Sequence, residues 1–239
     1  MCGRFVSSRG PEDLASLFTA RWDGEPVPPS WNVAPTDPVY AVLERPAKDG
    51  PGPDRQVRVL RWGLVPSWSK DPGGGARMIN ARVETVDSKP AFRKAFTSRR
   101  CLLPADGYFE WVPVQERGAK PRKQPYYLAP ADGRLMAMAG LYEFWRDRNA
   151  AEDDPAAWLT TCTVITTDAA DAAGRVHDRM PLTVAPDAYD DWLDPAHQDP
   201  RALLALLAVP AGGELEVREV SSEVNSVRNN GAQLIAPLP

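Results

Sequence analysis

A chain of 239 residues is long enough to bury one sizeable core, and 43% apolar with 25% charged residues is the balance of a globular protein rather than a disordered or fibrous one. No apolar run approaches the roughly 20 residues that cross a bilayer, and the opening MCGRFVSSRG lacks the apolar stretch of a secretory signal, so the expected location is the cytoplasm, with no membrane partner. Three cysteines with no CxxC pair, and only two histidines, leave no disulfide framework and no zinc site; the reading calls for no metal and no cofactor.

The net charge of −4 is unevenly spread along the chain. Residues 1–123 hold 20 Lys/Arg against 14 Asp/Glu, and residues 124–239 hold 8 against 18. Either a locally basic surface neutralises phosphates, or the two halves interleave in space and cancel.

With 25 prolines, short and interrupted elements are expected. Pro11 followed by EDLASLF predicts a first helix, with proline in its first turn and acids at its positive end. Val39–Leu43 and Val57–Trp62 predict strands separated by the turn-rich RPAKDGPGPD. Gly73–Gly75 reads as a mobile local addition, and Asp87–Phe96 as a short helix. Cys101–Pro104 and Tyr108–Trp111 predict strands parted by Ala-Asp-Gly, a turn signal. Tyr126–Leu128 and Leu135–Gly140 follow as strands, with loops expected at 113–124 and 146–157. Leu159–Thr167 is a β-branched run and predicts a buried strand. Pro186–Leu193 and Pro200–Leu207 read as helices, and Leu215–Val220 as a late strand. No repeat is visible. Strands dominate, so the expected fold is α+β: one domain over 1–239, built on a curled, barrel-like mixed or antiparallel sheet with peripheral helices.

Candidate chemistry begins at Cys2. An initiator methionine is trimmed when the second residue is small. Its removal would put an α-amine titrating at about 7.7–8.0 beside a thiol titrating near 8.5. Such a 1,2-aminothiol condenses with an aldehyde: the amine forms an imine and the thiol closes a five-membered thiazolidine. The plainer alternative is a loose terminus. Arg4 offers a phosphate-binding fork, and Phe5 with Val6 can anchor the segment.

His177, in RVHDRMP, is a side chain of the type that passes protons near neutrality, and in an extended segment Arg179 shares its face. Glu110 lies among the aromatic residues of GYFEW, where desolvation raises a carboxyl pKa, and alternation puts Tyr108 on its face. Asn80, in MINARVET, has an amide suited to orienting an amine, with Arg82 on the same side of a strand. Trp31, Trp62 and Trp68 are aromatic surfaces that stack on single-stranded bases. Each has a structural alternative: a surface histidine, an edge-strand glutamate, a turn asparagine, a core tryptophan.

In order along the chain, MCGRF, WNVAPT, RWGLVPSW, INARVET, CLLPADGYFEW, AGLYEFW, TCTVITTDA and HDRMP, with VSSEVNSVRNNG more loosely, resemble the SRAP family (SOS-response-associated peptidase, or abasic-site-processing proteins). The resemblance implies a single domain, a mature form without residue 1, and a thiazolidine crosslink between Cys2 and an abasic site in single-stranded DNA. It implies helper roles for Asn80, Glu110 and His177. It places Arg4, Asn32, Pro35, Trp68, Arg82, Thr166 and Arg179 along a DNA channel. Some members carry two adjacent aromatics where this chain has Trp68-Ser69, a departure at the second position. A DNA-damage role would bring the protein to the nucleoid, as a monomer with weak lyase activity. The alternatives are an N-terminal-nucleophile peptidase that removes its own Met1 and a non-catalytic single-strand binding protein whose tryptophans and arginines do the work.

Overall fold

The computed structural model describes residues 2–46, 52–115, 121–209, 211 and 213–238, except the side chain of Asp171. Two sheets organise them. The first contains β1 (Arg4–Ser7), β2 (Ser30–Val33), β7 (Gly107–Val114), β8 (Arg122–Pro130) and β12 (Leu215–Glu219), antiparallel in the order β12-β8-β7-β1-β2.

The second contains β3 (Pro38–Pro46), β4 (Pro53–Trp62), β6 (Arg100–Ala105), β9 (Met136–Arg146) and β10 (Trp158–Asp168). Their order β10-β4-β3-β6-β9 closes because β9 pairs with β10 over Gly140–Arg146. The ring is mixed, since β10 runs parallel to β4. Two three-residue strands, β5 (Asn80–Arg82) and β11 (Arg179–Pro181), extend β10 beyond the ring. The expected curled sheet is therefore a closed five-stranded barrel with a second sheet beside it.

Period-two alternation sorts the core. Val39, Ala41 and Leu43 join Leu60, Trp62, Cys101, Leu103 and Cys162 in one cluster, which fills the barrel interior. Tyr40, Val42, Val57, Leu102 and Leu141 point the other way, under α1 (Pro11–Leu17), α2 (Arg93–Ser98), α4 (Tyr189–Leu193) and α5 (Pro200–Leu207). The interior cluster continues into the first sheet through Phe5, Val33, Tyr108 and Leu128, and it includes Cys2. No helix among the described residues is long and apolar enough to cross a membrane.

Several sequence expectations change in detail. The helix expected at Asp87–Phe96 is only Arg93–Ser98. The stretch before it forms turns, because Pro90 has no N–H and restricts the residue ahead of it. The loop expected at 113–124 is shorter, as Pro113↔Lys123 and Val114↔Arg122 still pair; residues 116–120 of it lie outside the described residues. The turn-rich insert expected at 45–54 is likewise narrowed by pairing that continues to Pro46↔Pro53; residues 47–51 of it lie outside the described residues. The strand expected at Leu135–Gly140 runs on to Arg146, through the aromatic Leu-Tyr-Glu-Phe-Trp run. The Pro186–Leu193 helix divides into a 3-10 turn, Pro186–Ala188, and α4.

Of Gly73–Gly75, the last is packed against the fold, while Gly73 is exposed and a Cβ on Gly74 would meet open space. All three lie in the 3-10 helix Pro72–Arg77, where Gly75 is buried. A Cβ on Gly75 would stand 2.5 Å from the Gly63 carbonyl oxygen, and one on Gly63 2.7 Å from that of Gly75. Gly63 also has φ +122, a region favouring glycine. This backbone contact leads the chain into β5.

The two charge halves do interleave. Arg55 pairs with Asp190 at 2.5 Å, Arg99 with Glu143 at 2.8 Å and Glu84 with Arg179 at 2.7 Å.

Candidate functional site

Cys2 enters the core just before β1 and is fully buried. Its place is set by β1, which pairs Arg4↔Phe109 and Phe5↔Tyr108 on one side and Phe5↔Val33 on the other. Phe5 is locked against Trp62, edge to face, with centroids 4.9 Å apart. Trp62 Nε1 donates to the Ile79 carbonyl at 3.0 Å, which draws β5 to the same point. Trp62 is thus wholly buried, the core alternative of its two readings, and its ring anchors the chain start rather than stacking on a base.

β5 then delivers Asn80. Asn80 Nδ2 donates to the Cys2 carbonyl at 2.8 Å, while the buried Asn80 Oδ1 has no hydrogen-bond partner among the described residues. β7 delivers Glu110 and Tyr108 on one face, as alternation predicts. Burial raises the Glu110 carboxyl pKa. Burial also raises the Cys2 thiol strongly, and the negative charge of Glu110 adds to it. Tyr108 is pushed up by burial, then by the charges of Cys2 and Glu110, and its hydroxyl has no partner among the described residues. Cys2, Glu110 and Tyr108 therefore feel one another's charge in a single buried pocket. Tyr108 had no assigned role in the sequence; its signal was the shared face with Glu110.

His177 follows α3 (Asp171–Gly174), a turn of helix whose Ala173 packs in the Cys2 cluster. Its charge acts on Glu110, lowering that carboxyl's pKa against the effect of burial. The Arg179 backbone N–H donates to His177 Nδ1 at 2.9 Å, and Asp178 Oδ1 lies 2.7 Å from the same nitrogen. One nitrogen cannot serve both. A bare Nδ1 accepts from Arg179 and a protonated one donates to Asp178, so the imidazole has two hydrogen-bonding settings.

The seven channel positions divide. Trp68 is 60% exposed, Arg82 is exposed on the Asn80 side of β5, and Pro35 is half-buried. Pro35 precedes Thr36, whose φ of +78 is strained for a β-branched residue. The turn is held by Ala34 N–H donating to Asp37 at 2.8 Å and Thr36 N–H donating to the Trp62 carbonyl at 2.8 Å. The other four positions are engaged inside the protein. Arg179 binds Glu84 (2.7 Å), Asp168 (2.6 Å) and the carbonyl of the buried Thr166 (2.7 Å). Arg4 donates to Asn32 Oδ1 at 2.6 Å and to the Val224 carbonyl at 3.0 Å, and lies over the Trp111 ring. Asn32 is 3% exposed and donates to three further carbonyls.

The pocket lies in a chain with extensive likenesses. The family model described as "SOS response associated peptidase (SRAP)" matches residues 1–227. YoqW of Bacillus subtilis, named an abasic site processing protein, is 38% identical over 98% of this chain and 99% of its own. YedK of Escherichia coli, named likewise, is 31% identical over the full length of both. HMCES of Xenopus tropicalis, again so named, is 30% identical over all of this chain and 78% of its own. A crystal structure of a Bacteroides thetaiotaomicron protein shares the fold, with a TM-score of 0.80 over the full length of both chains at 24% identity. A family match across this span, with relatives above 30% identity over both chains, means that this chain belongs to the SRAP family.

Proposed function

We propose that this chain, once Met1 is removed, captures abasic sites in single-stranded DNA by closing a thiazolidine between Cys2 and the opened sugar. The names of the relatives supply the lesion. The observation that carries the chemistry is the Asn80 amide gripping the carbonyl of Cys2 itself at 2.8 Å, beside a carboxyl of raised pKa. A thiol acting alone needs no hold on its own backbone. A terminal residue that must present nitrogen and sulfur together does.

The steps balance as a condensation. The abasic sugar opens to an aldehyde at C1′, His177 protonating the ring oxygen and recovering a proton from the C1′ hydroxyl. The α-nitrogen of Cys2, oriented by Glu110, attacks C1′ and passes a proton to the carbonyl oxygen. The resulting hydroxyl leaves as water with a proton from His177, giving an iminium. Sγ then bonds to C1′, the C=N pair returns to nitrogen, and the thiol proton passes to Glu110. One water is lost and nothing is oxidised. The iminium stage also permits β-elimination, hence weak strand cleavage.

Arg82, Trp68 and Pro35 face the strand in this reading. Arg4, Asn32, Thr166 and Arg179 shape the channel from behind. The N-terminal-nucleophile peptidase is disfavoured, because such a cysteine works as a thiolate with a lowered pKa, whereas burial raises that of Cys2.

Intact mass is the test. Purified protein should lack the mass of Met1 and gain that of one abasic oligonucleotide less one water, in a product that survives heating without reductant. Material that retains Met1 and still forms the heat-stable product overturns the proposal, as does processed material that leaves the lesion untouched.

A further inference from the structure

The segment after β12 ends in a turn held from beneath by Asn32. The Asn229 N–H donates to the Ser226 carbonyl at 3.1 Å, closing a β-turn with Val227 and Arg228 at its tip. From below, Asn32 Nδ2 reaches the carbonyls of Ser226 and Asn229 at 2.9 Å each and that of Val224 at 3.3 Å. One buried amide thus clasps both ends of the turn. Its Oδ1 accepts from Arg4, which also donates to the Val224 carbonyl. Further ties flank the turn. Trp111 Nε1 donates to Asn225 at 2.7 Å, Asn230 accepts from the Trp31 N–H at 2.8 Å, and Asn230 Nδ2 donates to the Pro29 carbonyl at 3.0 Å.

All this fixes a tip that itself touches little. Val227 is 60% exposed, and Arg228 is exposed with no carboxylate paired to it among the described residues. Holding a turn so firmly in order to present an aliphatic side chain and a bare guanidinium to solvent is costly unless something meets them. The turn hangs from Arg4, two residues from Cys2.

We infer that the Val227–Arg228 turn is a contact for the DNA strand flanking the lesion, with Arg228 on a backbone phosphate and Val227 against the neighbouring sugar or base. Asn32 is then a positioning residue, acting through the turn rather than touching DNA. The inference rests on the abasic-site reading for its ligand, though not on the covalent step. Glu223 is exposed on the same segment, its carbonyl accepting from Asn229 Nδ2 at 2.8 Å.

The probe is a labelled single strand carrying tetrahydrofuran, an abasic analogue that has no aldehyde. Its affinity is measured by fluorescence anisotropy as salt is varied. Arg228→Ala should weaken binding about 3- to 10-fold at moderate salt and flatten the slope of log affinity against log salt by about 0.7, the value for one phosphate on a single strand. Arg228→Lys should restore the slope. Lys94→Ala, which removes the same charge from α2 on the barrel's outer face, should change neither. Asn32→Ala should lose a similar factor, and the Asn32→Ala/Arg228→Ala pair should lose less than the product of the two, because both act through one turn. Arg228→Ala with wild-type affinity and slope overturns the inference, as does a multiplicative double variant. A wild type that binds this strand with the expected slope yet never crosslinks an authentic abasic site sinks the covalent reading and leaves this one standing.

Discussion

Cys2 and the pair Cys101 and Cys162 are all fully buried free thiols, and burial raises the pKa of all three. Their surroundings differ. Cys101 and Cys162 face the barrel interior among Leu103, Leu60 and Val164, where the perturbation is burial and, for Cys101, the neighbouring Cys162. A Cβ on Gly140 would lie 2.9 Å from Cys101 Sγ, so that thiol fills a close-packed space. Cys2 shares its burial with Glu110, Tyr108 and Asn80, polar groups that a core built only for packing would exclude. A raised thiol pKa alone does not separate the two environments. The Asn80 Oδ1 and Tyr108 hydroxyl, unmatched among the described residues, do.

The largest effect should therefore separate the cysteines. Cys2→Ala is expected to abolish the heat-stable adduct while leaving an imine that borohydride can trap, since the α-amine survives. Cys101→Ala and Cys162→Ala should crosslink at the wild-type rate and lose about 1–2 kcal/mol of stability from the cavity left behind. Chemical denaturation alongside crosslink gels would measure both. A Cys162→Ala protein that folds but no longer crosslinks would erase the distinction.

The next effect tests the polar side of the pocket. Glu110→Gln should slow capture by about 10²- to 10⁴-fold, the usual range for a positioned acid–base group. It should also remove an acidic limb lying above the ordinary carboxylate range, because burial raises this carboxyl. Stability should move the other way. A raised pKa means that the native state holds the proton more tightly than the unfolded chain, so the contribution is present at low pH and lost as pH rises through the native value. The Gln variant should melt above the wild type at pH 8, with the gain fading on acidification. Melting curves at both pH values against the rate profile would check it; an unchanged acidic limb would remove Glu110 from the chemistry.

The same contrast explains what the sequence made legible. Cys2, Asn80, Glu110 and His177 stood out because their residue types suit aldehyde chemistry, and the ordered motifs carried the family. Alternation in VYAVL and CLL gave the barrel strands. The closure of the ring was hidden, since it depends on β9 and β10 pairing over seven residues, including an aromatic run that periodicity alone does not assign. Also hidden was the division of the channel positions. Asn32, Thr166 and Arg179 have the residue types of DNA contacts, yet their hydrogen bonds go to Val224, Glu84, Asp168 and one another's backbone. Partners that distant in the chain leave no local signal. Trp62 and Trp68, six residues apart in one motif, end at opposite extremes of exposure, because the strand carrying Trp62 has ended before Trp68 is reached.

The smallest predicted effect sharpens the comparison within one residue type. Tyr40 and Tyr108 are both buried tyrosines with raised pKa values. The Tyr40 hydroxyl donates to the Val27 carbonyl at 3.1 Å and accepts from the Val27 N–H at 2.9 Å. The Tyr108 hydroxyl has no partner among the described residues. A buried polar atom left unsatisfied costs about 1–3 kcal/mol, whereas a satisfied pair contributes about 0.5–1.5 kcal/mol per bond. Tyr40→Phe removes two bonds and strands the half-buried Val27 N–H, so it should destabilise by about 1–2 kcal/mol. Tyr108→Phe keeps the ring in its packing and deletes only the unmatched oxygen, so it should be neutral or stabilising by up to about 1 kcal/mol. Parallel urea titrations of the two variants, with unchanged m-values, decide the matter. If Tyr108→Phe proves the more damaging, its hydroxyl is bonded in the resting protein, and the polar pocket around Cys2 is better satisfied than its geometry implies.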